Sequence, residues 1–440
     1  MNKSLRRAAA FALVATLSLS APALGPAAAA PFAGVALGAL AITDGPLFDV
    51  FSTARDRRAG QLRTLLGFSL ASTGLGLLAG LFSLPVGVFV ASVLVVGFGD
   101  LGRRLVLERR TNRALSMVGF VVLAALAALA GQAVVAAVTG QPPAYPRWVF
   151  LATSGALLAG VFRTVFVARD DPLVLLTVAL LLWLFTVLGP LDDVSTATAW
   201  ERVGVALAVT VAFGWASRAL GATSVAGMLT GVFLGLLAVV LGGYGWFAVL
   251  IAFFAVGSLT TKFRYDRKLE RGVAEENDGA RGTGNVLGNS AAALVALLLY
   301  AAHAHVPLSS TAYQFAYAGS VATALADTLS SEVGGLFDDP RLLTSLERVE
   351  PGTDGAVTWQ GEVAGIAGAL LIAGICVAVF GFGAAGVAVV VGAGIAGMTA
   401  DSLAGATIEN DVVGNQGVNF LATLTGGVVG GALALAAGLA

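Results

Sequence analysis

The chain is poor in charge. Of its 440 residues only 12% are Asp, Glu, Lys or Arg, well under the roughly 25% of an ordinary soluble domain. Cys376 is the single cysteine, which excludes an intrachain disulfide and a thiolate metal cluster. Lysine occurs only at 3, 262 and 268, and histidine only as His303 and His305 in AAHAHVP. Two histidines at the outer end of an apolar run make a weak metal site and read better as interfacial residues. No Walker A lysine motif, nucleophile elbow or metalloprotease helix is present. The GVAVVVGAGIAGM run holds a GxGxxG, but the βαβ unit of a dinucleotide-binding fold is missing. That run reads as a span whose small residues allow close helix packing. Short alternating strands are missing too, which excludes a β-barrel. The net charge of −1 points to no partner, and no nucleic acid is expected.

What is abundant is apolar. The chain is 57% hydrophobic with a mean hydropathy of +0.88. About fifteen segments are long enough to cross a bilayer, among them 27–43, 201–219 and 310–329. The fold expected is an all-α polytopic transmembrane bundle in the cell (plasma) membrane. The N-terminus, MNKSLRRAAAFALVATLSLSAPAL, reads as a signal peptide or as a first span, and the apolar run 27–43 anchors the chain in either case. With the N-terminus in the cytoplasm, the arginine clusters at 55–63 and 103–113 fall on the cytoplasmic side, as do the loops 261–285, 330–360 and 401–417. The opposite loops, such as QPPAYP and LDDVSTATA, are poor in basic residues. Three sections are expected: 1–43, signal-like or anchoring; 44–200, a membrane domain with short arginine loops; and 201–440, where acids, bases, Asn and Gly gather in three polar loops.

Four stretches carry candidate chemistry. In KFRYDRKLERGVAEENDGARGTGNVLGNS, the bases Lys262, Arg264, Arg267, Lys268, Arg271 and Arg281 accompany five acids. This is either a solvated loop obeying the positive-inside rule or a phosphate-holding loop leading into a Gly-rich helix start. Asn285 and Asn289, spaced i, i+4, share one helix face. In ADTLSSE, the stripe Thr323, Asp327, Ser331 follows i, i+4, i+8. Asp327 and Glu332 stand about 140° apart on a straight helix and share a metal only if the helix ends near Ser330, which Gly334-Gly335 suggests. Asp327 otherwise reads as a cap or an arginine partner. In RLLTSLERVEPGTDGAVT, Pro351-Gly352 and Asp354-Gly355 mark a turn, either a plain connector or an anion-binding nest around Thr353. In TADSLAGATIEN, Asp401 ends a span as Asp327 does, with Glu409 beyond it and then Asn415 and Asn419. Two such carboxylates on one side suit hydrated Mg²⁺, which takes one or two carboxylates plus substrate phosphates.

Taken together, these blocks resemble the membrane family called domain of unknown function 92, which includes transmembrane protein 19 and plant phytyl-phosphate kinase. The resemblance rests on GGYGWFAVLIAFFAVGSLTTKFRYDRK, GARGTGNVLGNSAAA, ATALADTLSSEVG, RLLTSLERVEPGTDGAVT, DSLAGATIEN and GVNFLATL, in that order over roughly 230 residues. Gly288 and Ser290 depart from the family's usual Ala and Gly, and Asp354 and Ala356 from its Ser and Gly. In the N-terminal half, VGFGDLGRRL with Asp100 faintly resembles polyprenol and phytol kinase-like proteins.

The resemblance implies transfer of a phosphoryl group from CTP or another nucleoside triphosphate to an isoprenoid monophosphate of the phytyl or geranylgeranyl type at the cytoplasmic face. Asp327, Asp401, Glu332 and Glu409 are the expected Mg²⁺ ligands. Asp327, Asp401 and Lys262 are the expected catalytic residues. Lys268, Arg281, Asn285, Asn289, Thr353 and Asn419 are expected to hold substrate or nucleotide. The partners are then an isoprenoid-phosphate lipid and the membrane lipids around it. Two alternatives stay open: a CTP-dependent lipid cytidylyltransferase, and a transporter or flippase.

Overall fold

The computed structural model describes residues 2–165, 171–275, 279–409 and 412–440. Glu276 and Asp278, two of the five acids of the basic loop, and Asn410 of the ATIEN motif lie outside them. The chain is helical nearly throughout, and its contacts divide it into two units, Met1–Val203 and Gly204–Ala440.

Twelve helices among the described residues are long and apolar enough to cross a membrane. Three of the fifteen expected segments are not among them, for three reasons. The Ala30–Ala41 helix has 12 residues and turns by 111° into Gly45–Phe51, so it rises only about 18 Å on its own. The Thr196–Ala219 helix carries Glu201, Arg202 and Arg218. The Ser310–Gly334 helix has 25 residues, about 37 Å, but Ser, Thr, Gly and Tyr keep it from being strongly apolar.

In the first unit the Val86–Arg109 helix is the buried member, packed against Arg113–Thr139, Tyr145–Val165 and the N-terminal Lys3–Ala15. Asp100 on it, singled out from the sequence, meets Arg163 Nη2 at 3.2 Å, and Arg163 also pairs with Asp171. All three side chains are buried, so one guanidinium is shared between two carboxylates inside the unit.

In the second unit the Ser310–Gly334 helix is the axis. The Tyr244–Lys262, Thr283–Ala301, Trp359–Phe380, Ala384–Thr407 and Asn415–Ala436 helices pack around it. Its residues from Ala318 to Ala326 are all buried. A helix sheathed by protein needs no lipid-facing apolar surface, and small side chains let its neighbours approach closely. Thr323 shows how closely. A Cβ placed at Gly397 would come within 2.2 Å of Thr323 Oγ1, and one at Gly426 within 1.9 Å. Gly397→Ala therefore overpacks the bundle, and a loss of about 1–3 kcal/mol of stability is expected. Unfolding of the detergent-solubilised chain checks this; an unchanged midpoint would show that the helices yield instead.

Alternation of these helices brings the described residues of three polar connections to one end of the unit: 263–275 with 279–282, 335–358, and 408–409 with 412–414. The middle connection forms a two-stranded antiparallel hairpin, Arg341–Leu342 with Ala356–Val357. Thr358 then caps the next helix by accepting from Gly361 N at 3.2 Å. Aromatic rings cluster at the opposite end. Trp246 packs against Tyr300, Tyr317 and Phe380, and Tyr317 donates to the Trp246 carbonyl at 2.7 Å.

Candidate functional site

The three polar connections enclose a cavity of about 980 Å³ in the second unit. Its walls include Arg281, Asn285, Asp327, Glu332, Thr353, Asp401 and Glu409. Residues from separate loops and helix ends, from Gly272 to Gly417, thus share one space.

Asp327 sits two turns before the end of the axial helix, and Asp401 near the end of the Ala384–Thr407 helix. Both side chains line the one cavity, close enough for each to act on the other. Two carboxylates so placed repel unless a proton or a cation lies between them. Asp401 Oδ1 is buried without a hydrogen-bond partner among the described residues, and so is Asn285 Oδ1 on the same wall. All of these are hard oxygen donors, the set that suits Mg²⁺. The residues fit the ion.

The larger ligand set read from the sequence is not assembled as one shell. No group of three carboxylates, histidines or cysteines stands close enough for a metal among the described residues. The axial helix does not end near Ser330 but runs to Gly334, so Asp327 and Glu332 stay on different faces. Glu332 Oε2 instead receives Lys268 Nζ at 2.5 Å. Glu409 lies on the cavity wall just beyond its helix. Burial and then the nearby Asp354 carboxylate push its carboxyl above the usual range, with a hydrogen bond from Asn415 opposing them. A metal held by two carboxylates completes its coordination with water and substrate oxygens.

The expected phosphate-holding residues also divide. Arg281 lines the cavity and Nη1 of its guanidinium has no hydrogen-bond partner among the described residues. Burial lowers its pKa, against the opposing pull of Glu275, Glu332 and Asp327. Lys268 corrects the sequence reading. It is 1% exposed, and its ammonium donates to the carbonyls of Thr260 (2.7 Å) and Thr261 (3.3 Å) as well as to Glu332. Its three donors are spent, so it braces Glu332 rather than gripping a ligand. Lys262 is exposed, with its ammonium 5.8 Å from the Tyr265 ring centroid, and is not on the cavity wall. Asn289 donates to the Asn285 carbonyl at 3.0 Å and Asn419 to Asn415 Oδ1 at 3.4 Å. Both are buried one turn behind the wall and support the residues that line it.

Thr353 lines the cavity within its turn, where its hydroxyl donates to the Glu350 carbonyl at 2.8 Å. Gly355 has φ +73°, and a Cβ there would lie 2.3 Å from Ala406 N, so the turn rests directly on the Asp401 helix. Sequence reasoning passed over Glu275, Ser330, Ser402 and Gln416, which line the cavity as well. No spacing marked them, because they reach the wall only once the loops converge.

Residues 208–427 match the family described as integral membrane protein DUF92. An uncharacterised membrane protein of Methanocaldococcus jannaschii is 34% identical over 215 residues, 46% of this chain and 82% of that protein. An uncharacterised membrane protein of Synechocystis is 34% identical over 196 residues, 42% of this chain and 73% of its own length. The chloroplastic protein VTE6 of Arabidopsis thaliana is 30% identical over 153 residues, 34% of this chain and 46% of that protein. No solved structure matches. The chain belongs to the DUF92 family of integral multi-pass membrane proteins, and the matched region lies within the second unit.

Proposed function

For this DUF92 protein we propose Mg²⁺-dependent phosphoryl transfer from CTP or another nucleoside triphosphate to an isoprenoid monophosphate, at the cytoplasmic face of the cell membrane. The observation that carries it is the set of unpaired groups in one cavity. Asp401 Oδ1 and Asn285 Oδ1 ask for a cation, while Arg281 Nη1 asks for an anion. A cation and an anion required side by side describe a metal–phosphate ligand. The family resemblance read from the sequence supplies the isoprenoid.

In the reaction, an oxygen of the lipid phosphate attacks the γ-phosphorus. The bond from that phosphorus to the β-phosphate bridging oxygen breaks, giving a lipid diphosphate and a nucleoside diphosphate. The acceptor is already anionic at neutral pH and needs no general base. The protein therefore contributes positioning and charge balance rather than covalent chemistry. Asp327 and Asp401 would hold Mg²⁺, which when bound neutralises charge on the phosphate oxygens. Arg281 would lie against transferring or accepting phosphate oxygens, and the Thr353 turn borders the same cavity. A polar cavity at the end of an apolar bundle lets the phosphate reach the site while the isoprenoid tail stays in lipid.

Purified chain in lipid, given Mg²⁺, phytyl or geranylgeranyl monophosphate and γ-labelled CTP or ATP, is expected to place label in a prenyl diphosphate. Pyrophosphate release with the nucleotide base retained on the lipid would instead establish cytidylyl transfer. Lack of both products across several nucleotides and lipids would remove the enzymatic reading.

A further inference from the structure

Arg281 is the only lysine or arginine lining the cavity among the described residues, facing walls that hold six carboxylates. It is 8% exposed. Buried guanidinium groups ordinarily spend their donors on acceptors or carboxylates. Here the group is held by other means. The main chain of Arg281 is pinned to the strand-like segment before the Val225–Leu237 helix. Its N–H donates to the Ala222 carbonyl and its carbonyl accepts from Ser224 N, both at 3.0 Å. The side chain then lies along the Tyr244–Lys262 helix. The guanidinium carbon stands 5.2 Å from the Phe253 ring centroid. One turn further, a Cβ on Gly257 would lie 2.9 Å from Nη2 and 3.3 Å from Nη1. Phe253 and Gly257 are spaced i, i+4 and so present one face. Phe253 is 1% exposed, and neither residue lines the cavity.

We propose that Phe253 and Gly257 are positioning residues that hold the Arg281 guanidinium for a phosphate in the cavity, Phe253 as a cation–π platform and Gly257 as the gap beside it. This rests on the phosphate reading above. An aromatic face attracts the cation without occupying its N–H donors. A carboxylate in the same place would take two donors and cancel the charge. The arrangement therefore keeps a buried arginine in place and still able to bind.

The test measures binding of inorganic pyrophosphate in Mg²⁺ to the full chain by calorimetry. The proteins are wild type, Arg281→Gln, Phe253→Leu, Phe253→Tyr, Gly257→Ala and the double variant Arg281→Gln/Phe253→Leu. Wild type and Phe253→Tyr are expected to bind alike. Phe253→Leu and Gly257→Ala are expected to bind roughly tenfold more weakly. The double variant is expected to bind no worse than Arg281→Gln, because the platform has nothing left to hold. Normal binding by Phe253→Leu and Gly257→Ala, with loss in Arg281→Gln, would overturn the positioning role and leave the phosphate site standing. A double variant weaker than Arg281→Gln would also overturn it, since Phe253 would then act through packing alone. Equal binding by wild type and Arg281→Gln would remove the phosphate reading itself. Should Gly257→Ala fail to fold, the Phe253 series decides by itself.

Discussion

Asp327→Asn and Asp401→Asn are each expected to reduce the proposed Mg²⁺-dependent phosphoryl transfer by roughly three orders of magnitude, the upper scale lost when one electrostatic stabiliser of a developing charge is removed. Asparagine keeps the shape of aspartate and removes its charge, so packing along the two helices is preserved. What changes is the pair. With one carboxylate neutral, the two groups can hydrogen-bond directly, and the demand for a cation between them disappears. Stability and activity should therefore part company. The unfolding midpoint of either variant, without added metal, is expected to equal or exceed that of the wild type while transfer collapses. Assay of label transfer beside thermal unfolding reads both. Variants that lose stability along with activity would show that the pair is structural. Variants that keep transfer would show that the ion is held elsewhere.

Lys268→Met is expected to lower stability by about 3–5 kcal/mol, the usual cost of breaking a buried ion pair by removing one partner. The pair is closely enclosed, Lys268 being 1% exposed and Glu332 7%. Methionine fills much of the same volume, so the loss is electrostatic. It leaves Glu332 buried with an uncompensated charge and leaves the Thr260 and Thr261 carbonyls without the ammonium they accept from. Lys268→Met/Glu332→Gln removes the charge from both sides and is expected to recover most of the loss. Equilibrium unfolding in mixed micelles compares the three. A double variant no more stable than Lys268→Met would mean that the two carbonyls, not Glu332, are what the ammonium serves.

The sequence allowed much of this to be read, and the particular residues show where reading stops. Apolar runs reveal the twelve helices long and apolar enough to span a membrane among the described residues, because lipid contact demands an apolar surface. The axial helix shows the opposite case. Ringed by protein, it is free to use Ser, Thr and Gly, so its role depends on its neighbours rather than on its own hydropathy. Arg281, Asn285, Asp327, Asp401 and Glu409 were visible as polar residues where an apolar chain has reason to avoid them. Lys268 and Glu332 looked like the same kind of residue. Only their meeting across 64 positions shows that each occupies the other. Gly334-Gly335 suggested a helix break near Ser330, yet the helix carries on to Gly334, where the hairpin begins to turn the chain. Phe253 and Gly257 carried no signal at all, since a Phe and a Gly inside an apolar span look like any others until an arginine from a distant loop lies on them.

The ring cluster around Trp246 has a bearing on traffic. The second unit carries its polar cavity at one end, and at the other Tyr317, Tyr300 and Phe380 pack on that indole. A site with its mouth at one end of the bundle exchanges its ligands through that mouth. A water-soluble nucleotide would arrive and depart by the same door, and a lipid would slip in over the rim from the leaflet beside it. In the proposed reaction each turnover would then begin and end on one face of the membrane.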